Sequence, residues 1–386
     1  FPGCSDAGGR SEILPAAVSC RGGITMQSNE AKVFEFMKEK NLVAFFISSP
    51  TNIRYISGFT ASDGAQWLLF TKGEKQFFIT DLRYTEDAAL ECPDYEVVIW
   101  RLPGKTVADS VQELLKKTGC KNVAFEGDDF SYDFFMDFDK IVEAEKVPTF
   151  NVISDMRMVK SEEEIAYQRQ ACEISCRALE DLLPEIQPGV TEKELAAKLS
   201  LYMVMNGADT MPYGNILISG ARTSLLHGVP SEKAVAYGDF VLMDFGCQVH
   251  GYMSDMTRTV VVGKATSEQK EVYGLVQKMF DECNKITKAG TMGCDIYNAQ
   301  MNVLEGSKYK GYEYNNIGHG IGLFVHEGPF NSITDKTPFP VGNVRTIEPG
   351  LYIPGWGGVR IEDQILITED GFENMTDDFT RDLIEL

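Results

Sequence analysis

The chain has little histidine, little tryptophan and a shortage of base. Its 386 residues include four histidines and three tryptophans, and 36 lysines and arginines stand against 57 aspartates and glutamates. A formal net charge of −21 repels nucleic acid and anionic membranes, so neither is expected as a partner. No apolar run reaches the roughly 18 residues of a membrane span. The nine cysteines (Cys4, Cys20, Cys92, Cys120, Cys172, Cys176, Cys247, Cys283 and Cys294) are odd in number and scattered. No Cys-x-x-Cys pair suggests zinc or redox chemistry. Cys172 and Cys176 lie four apart on a predicted helix, where core packing explains them better than ligation. A reduced, cytoplasmic protein is expected.

At 44% apolar and 24% charged, the sequence can supply cores for two domains. Residues 1–25 differ from the rest. They are rich in glycine, serine and other small residues and begin with Phe1. They read as a disordered extension ahead of a natural start at Met26. The alternative, an export or lipoprotein signal ending at Cys20, is disfavoured because Ile13 to Val18 is short and broken by Pro15.

From 26 to 152, helical and strand patterns alternate. Asn29–Lys40, Thr106–Lys117 and Ser131–Val142 read as helices. Val43–Ile47, Trp67–Phe70, Phe77–Ile79, Val97–Ile99 and Val123–Phe125 read as strands. The pattern predicts an α/β domain with a mixed sheet and no catalytic constellation. Pro148–Asp155 is the expected linker to a second domain over 153–386. There Ser161–Glu164, Thr191–Glu194 and Thr266–Gln269 each have the form of a helix-opening capping box. Ile165, Cys172, Cys176, Leu179 and Leu183 mark one face of the first of these helices.

A short internal repeat runs through this second domain. Gly189 precedes Glu194 and Leu195 as Gly290 precedes Asp295 and Ile296. Gly238-Asp239 leads by six residues to Asp244, and Gly342-Asn343 leads by six to Glu348. Such a duplication would set two acidic strands face to face across a pseudo-twofold axis.

The acids themselves suggest chemistry. Asp244 follows Val241, Leu242 and Met243, where a lone carboxylate is costly to bury. Asp255 stands 11 residues on, and His319, Glu348 and Glu362 follow in Gly-rich or strand-like settings. Four carboxylates balance two divalent cations, with His319 as the one nitrogen donor. So oxygen-rich a set suits Mn²⁺ or Co²⁺ better than structural zinc. Two ions ~3.5–4 Å apart can share carboxylates and hold a water for deprotonation. Taken singly, each acid could equally be a solvated or capping residue. His227 and His326 sit in turn-like contexts from which an imidazole could donate to a carbonyl oxygen. His250 is given no role.

The segments Met243-Asp-Phe-Gly246, Ser254-Asp-Met-Thr-Arg-Thr259, Gly318-His-Gly-Ile-Gly-Leu323 with His326-Glu327, Thr346-Ile-Glu-Pro-Gly350 and Gly358-Val-Arg-Ile-Glu-Asp363 resemble the proline-specific peptidases of the pita-bread fold. These are the Xaa-Pro aminopeptidases and the Xaa-Pro dipeptidases, or prolidases. The likeness extends over 26–386, and Asn52-Ile-Arg-Tyr-Ile-Ser-Gly58 and Asp81-Leu-Arg-Tyr84 look like the family's creatinase-like first domain. The fold class it implies is α/β (α+β): a creatinase-like N-terminal domain followed by a pita-bread catalytic domain. It implies that Asp244 chelates one metal, that Asp255 and Glu362 bridge, and that His319 and Glu348 bind the second. His227 and His326 would stabilise the tetrahedral intermediate, Glu348 would shuttle the proton, and Arg360 would fix the site through an ion pair. Tyr213 and Trp356 are candidate walls for a proline pocket. Proline-containing peptides are the expected substrates, two Mn²⁺ (or Co²⁺) the expected cofactors and a homodimer the expected assembly. Cleavage by an aminopeptidase is placed ahead of a dipeptidase. Methionine aminopeptidase, creatinase and a non-catalytic binding protein share the scaffold and are the rival readings.

Overall fold

The computed structural model describes residues 29–61, 65–73 and 75–386. The extension expected over 1–25, the start at Met26, and Cys4 and Cys20 lie outside the described residues.

The first domain is built on a six-stranded sheet. Its strands run in the spatial order Glu96–Ile99, Lys75–Thr80, Trp67–Thr71, Ala44–Ile47, Asn122–Glu126 and Glu145–Thr149. Ala44–Ile47 and Lys75–Thr80 each pair antiparallel with Trp67–Thr71, and the remaining pairings are parallel. The sheet is therefore mixed, as the alternating pattern predicts. Its central strands carry apolar runs because both faces are covered. Phe45, Ile47, Leu68, Phe70 and Phe78 pack into one core, while Ala44, Phe46, Leu69, Phe77 and Ile79 pack into the other. Thr106 closes a capping box with Asp109 at the start of Val107–Thr118, and Gly119 ends that helix in the left-handed conformation.

The expected linker takes a different form. Pro148 belongs to the edge strand Glu145–Thr149, where its missing N–H is harmless. Val152–Arg157 is a helix whose Ile153 is buried in the first domain's core. The chain thus crosses between domains on ordered, packed structure.

In the second domain the capping boxes predicted at Ser161, Thr191 and Thr266 open the helices Glu162–Leu182, Glu192–Met205 and Ser267–Ile286. On the first, Ile165, Cys172, Cys176 and Leu179 are buried as expected; Leu182 is fully buried, and Leu183 is only half-buried just beyond the helix end. Among the described residues no helix is long and apolar enough to cross a membrane.

The repeat is visible bond for bond. Gly189 N–H donates to Val235 O and Val235 N–H to Val190 O, both at 2.9 Å. In the second copy Gly290 N–H donates to Phe339 O and Phe339 N–H to Thr291 O, again at 2.9 Å. Gly238 N–H reaches Val262 O at 2.7 Å, and Gly342 N–H reaches Ile367 O at 3.0 Å. Gly238 and Gly342 hold φ of +87° and +83°, which glycine adopts without strain. Each then leads into a strand, Phe240–Phe245 or Val344–Ile347, that delivers Asp244 within it or Glu348 just past it.

The two halves meet along Met256–Val261, which pairs with Phe240–Phe245 and bridges Glu362 through Thr257. The turn between the paired strands is tight at Gly246. A Cβ built there would stand 1.8 Å from Ser254 O, in a backbone that cannot yield like a side chain. Gly246→Ala is expected to cost about 2–3 kcal/mol in urea unfolding by forced overpacking. An unchanged midpoint would contradict so close an approach.

Candidate metal centre

All five donors proposed from the sequence line one cavity of about 630 Å³. Asp244 comes from Phe240–Phe245, and Asp255 immediately precedes the strand paired with it. His319 lies in Asn316–Gly320, and Glu348 follows Val344–Ile347. Glu362 follows Gly357–Arg360. Five segments from both halves of the repeat thus converge, which no local motif could achieve alone.

Ligand atoms of Asp255, His319 and Glu362 lie within 4.8 Å of one another. His319 Nε2 stands 3.7 Å from Asp255 Oδ2 and 3.6 Å from Glu348 Oε1. His319 Nδ1 is 3.0 Å from Gly320 O, so a proton on Nδ1 leaves Nε2 with its lone pair facing the acids. Asp255, His319 and Glu362 are each no more than 5% exposed. Thr257 Oγ1 donates to Glu362 Oε2 at 2.6 Å, Tyr213 O–H donates to Asp255 Oδ1, and Asp255 N–H donates to Gln364 Oε1 at 2.9 Å.

The charges are out of balance. Arg360 Nη2 is hydrogen-bonded to Asp244 Oδ2, its Nε to Thr257 Oγ1 at 3.0 Å, and its Nη1 to Tyr352 Oη at 2.9 Å. That guanidinium offsets one of four carboxylates. Burial, then the neighbouring carboxylates, push Asp255 and Glu362 well above the ordinary range. Burial lifts Glu348 to about 7, and burial drops His319 to about 3. A cluster of acids driven toward their neutral forms, beside an imidazole held neutral, lacks a cation. The donor set fits divalent metal by its own chemistry: hard carboxylate oxygens with one borderline nitrogen, each already aimed by a hydrogen bond.

His326 and His227 line the same cavity, both exposed toward it. The rings of His326 and His319 meet edge to face, centroids 4.5 Å apart. Burial against the wall, and His227 beside it, hold His326 below the usual imidazole range. Tyr213, Ile216, Leu226, Val229, Pro230, Val325 and Tyr352 supply the apolar wall.

Trp356 is a correction. It packs edge to face on Phe240 with centroids 5.8 Å apart and borders a separate small cavity, so it is no wall of this cleft. It sits in the turn between Gly350–Ile353 and Gly357–Arg360. Tyr213 is a wall as expected, but its hydroxyl also grips Asp255, a role that its sequence context does not announce. Thr257, Gln364 and the buried Arg258 are further site residues that sequence reasoning missed. Arg258 donates to Glu362 O at 2.6 Å and to Asp363 Oδ1 at 2.7 Å. The available signal was an arginine between threonines in an otherwise apolar strand. His250 is exposed, with its N–H on Asp209, away from the centre.

Thr257→Val keeps shape and removes the donor to Glu362. It is expected to weaken divalent metal binding roughly 10–100-fold, the usual cost of losing a group that orients a ligand. Calorimetric titration of the metal-stripped protein reads this directly; unchanged affinity would remove Thr257 from the site.

Comparison with known proteins gives concordant results. A family model described as metallopeptidase family M24 matches residues 166–369, and one described as the creatinase/prolidase N-terminal domain matches 31–159. The chain is 35% identical over 354 residues to an Xaa-Pro dipeptidase of Pyrococcus furiosus, covering 91% of this chain and 98% of that protein. The structure of an Xaa-Pro dipeptidase from Bacillus anthracis superposes with a TM-score of 0.87 at 34% identity, covering 93% of this chain and 99% of that one. An X-Pro aminopeptidase from Thermotoga maritima MSB8 gives 0.86 at 33%, with the same coverage.

Proposed function

Since the chain belongs to metallopeptidase family M24, we propose that it hydrolyses the peptide bond before proline, as an Xaa-Pro dipeptidase. The observation that carries this reading is the convergence of four carboxylates and His319 Nε2 inside one cavity with an otherwise largely apolar wall. The relatives shift the weight from the aminopeptidase favoured on sequence to the dipeptidase.

Asp244, Asp255, His319, Glu348 and Glu362 would hold two divalent ions, with Mn²⁺ first and Co²⁺ the alternative. When bound, the metal supplies an acidified water and a Lewis acid. The chain's own residues do the rest. Glu348, at the cleft beside His319 Nε2, is placed to accept a proton from water and return it to the proline nitrogen. His326 and His227 stand where an imidazole N–H can donate to the carbonyl oxygen as its charge grows. Arg360 holds Asp244 in place.

Why proline? The bond before it is a tertiary amide without N–H, and the ring fixes φ. An enzyme that grips its substrate as a strand loses a hydrogen bond there. A cleft walled by Tyr213, Ile216, Leu226 and Pro230 can hold a ring by shape and burial instead.

One observation favours the aminopeptidase as second reading. Among the described residues lining the cleft, Arg360 is the only arginine or lysine, and it is engaged by Asp244. A dipeptide's free carboxylate would therefore lack an uncommitted basic partner. The cleft also adjoins an open cavity of about 740 Å³ that shares Asn316 and Phe330 and carries Lys336, with room for residues beyond proline. Seven free cysteines among the described residues support a reducing, cytoplasmic setting.

The test compares Ala-Pro, Ala-Pro-Ala and Ala-Ala-Ala with Mn²⁺ bound. Cleavage of the first alone supports the dipeptidase, and cleavage of the second the aminopeptidase. Failure on both proline peptides, with metal shown to be bound, overturns the proposal.

A further inference from the structure

The loop that carries His326 is fastened by buried charges that begin in the other domain. Packing holds Leu323 and Val325 of this loop, but His326 and Phe324 are exposed. Glu327 ties the loop's backbone. It opens the strand Glu327–Ser332 and folds back, so that Oε1 accepts from Phe324 N–H at 3.2 Å and from Arg157 Nε at 3.1 Å. Its Oε2 accepts from Lys160 Nζ at 3.0 Å. Gly322 leaves room for the pair, since a Cβ there would stand 3.0 Å from both Glu327 Oε2 and Lys160 Cε.

Arg157 passes the contact on. Its Nη1 is hydrogen-bonded to Asn52 Oδ1, on the helix Pro50–Ser57 of the first domain. Asn52 Nδ2 donates to Glu126 Oε1 at 2.5 Å. Glu126 Oε2 accepts from the backbone N–H of Ser48 at 2.6 Å and of Ser49 at 2.8 Å. Asn52, Glu126, Arg157, Lys160 and Glu327 are all buried, and none of them lines the cleft.

Buried charges and a buried carboxyl are an expensive way to stabilise a fold, since apolar residues of similar volume often do as well. What they supply here is a single permitted arrangement. The amide of Asn52 presents its oxygen to Arg157 and its nitrogen to Glu126, so it fits one way round.

We infer that Asn52 and Glu126 are positioning residues for His326, acting through Arg157 and Glu327. The first domain then sets the place of an imidazole at the cleft of its own chain. The kinetic consequence rests on the proposed peptidase reading; the placement of the ring does not.

The experiment is a double-mutant cycle on the full-length, metal-loaded protein, with Asn52→Ala, His326→Ala and the pair. Asn52→Ala is expected to lower kcat about tenfold with KM within twofold, and to cost nothing further once His326 is gone. In parallel, ¹³C-histidine labelling of the metal-free protein follows the His326 ring signal, assigned by its loss in His326→Ala. That signal is expected to shift or broaden in Asn52→Ala. Glu126→Gln, which places an amide N–H₂ against that of Asn52 or forces it to turn, is the second variant should Asn52→Ala fail to fold; the same signal is expected to move. Independent, additive losses of kcat, or a His326 signal unmoved by either variant, would overturn the inference. If the wild type cleaves no proline peptide, the peptidase reading fails while the ring signal still decides this one.

Discussion

Glu348→Gln is expected to lower kcat on Xaa-Pro peptides by roughly 10³-fold while leaving KM within a few-fold. The substitution is nearly isosteric. It keeps a carbonyl oxygen facing His319 Nε2, which Glu348 Oε1 approaches to 3.6 Å. What it removes is a group that can hold a proton at one moment and release it at the next. Hydrolysis of the amide before proline needs a proton on the departing nitrogen, and an amide side chain has none to spare. Loss of a general acid–base group alone costs about 10²–10⁴-fold. Metal analysis of the variant separates this from loss of a ligand. A variant with full metal and kcat within tenfold of wild type would take the proton-transfer role from Glu348. Glu348→Asp should fall between, because the carboxyl is kept but withdrawn by a methylene.

The acids, His319 and the capping boxes were legible because each is announced within a few residues. A lone carboxylate after an apolar strand is costly to bury, and Ser or Thr with Glu or Gln three residues later has the form of a capping box. Both copies of the repeat could be read from their glycines, since Gly238 and Gly342 sit where φ is positive. The rest was illegible for one reason: it depends on contacts between distant segments. Tyr213 reaches Asp255 across 42 residues, and Arg157 reaches Glu327 across 170. Neither partner's neighbours specify the other. Trp356 packs on Phe240, a distant contact that its own neighbours do not specify. Pro148 was read as linker because proline interrupts strands, yet an edge strand tolerates it.

Removing the divalent metal is expected to abolish activity and to make stability fall as pH rises from about 5 to 8. The sign follows from the direction of the shifts. Asp255, Glu348 and Glu362 have folded-state pKa values above their ordinary ones. Below the unfolded values near 4, both states are protonated and the contribution is whole. As pH climbs, the unfolded chain releases its protons first, so the folded state is progressively disfavoured until each folded pKa is passed. For Glu348, which moves from 4.5 to about 7, the loss is about 3 kcal/mol. At about 2.1 cal/mol/K of unfolding entropy per residue, that corresponds to roughly 4 °C in Tm for Glu348 alone. Asp255 and Glu362 act in the same direction. Metal reverses the slope, because it binds the ionised acids and binding releases their protons. A thousandfold excess of metal over Kd adds about 4 kcal/mol. Thermal unfolding of stripped and Mn²⁺-loaded protein at pH 5.5 and pH 8 measures both effects. A stripped protein as stable at pH 8 as at pH 5.5 would mean that these carboxylates do not crowd one another in a buried site, and the metal centre would go with them.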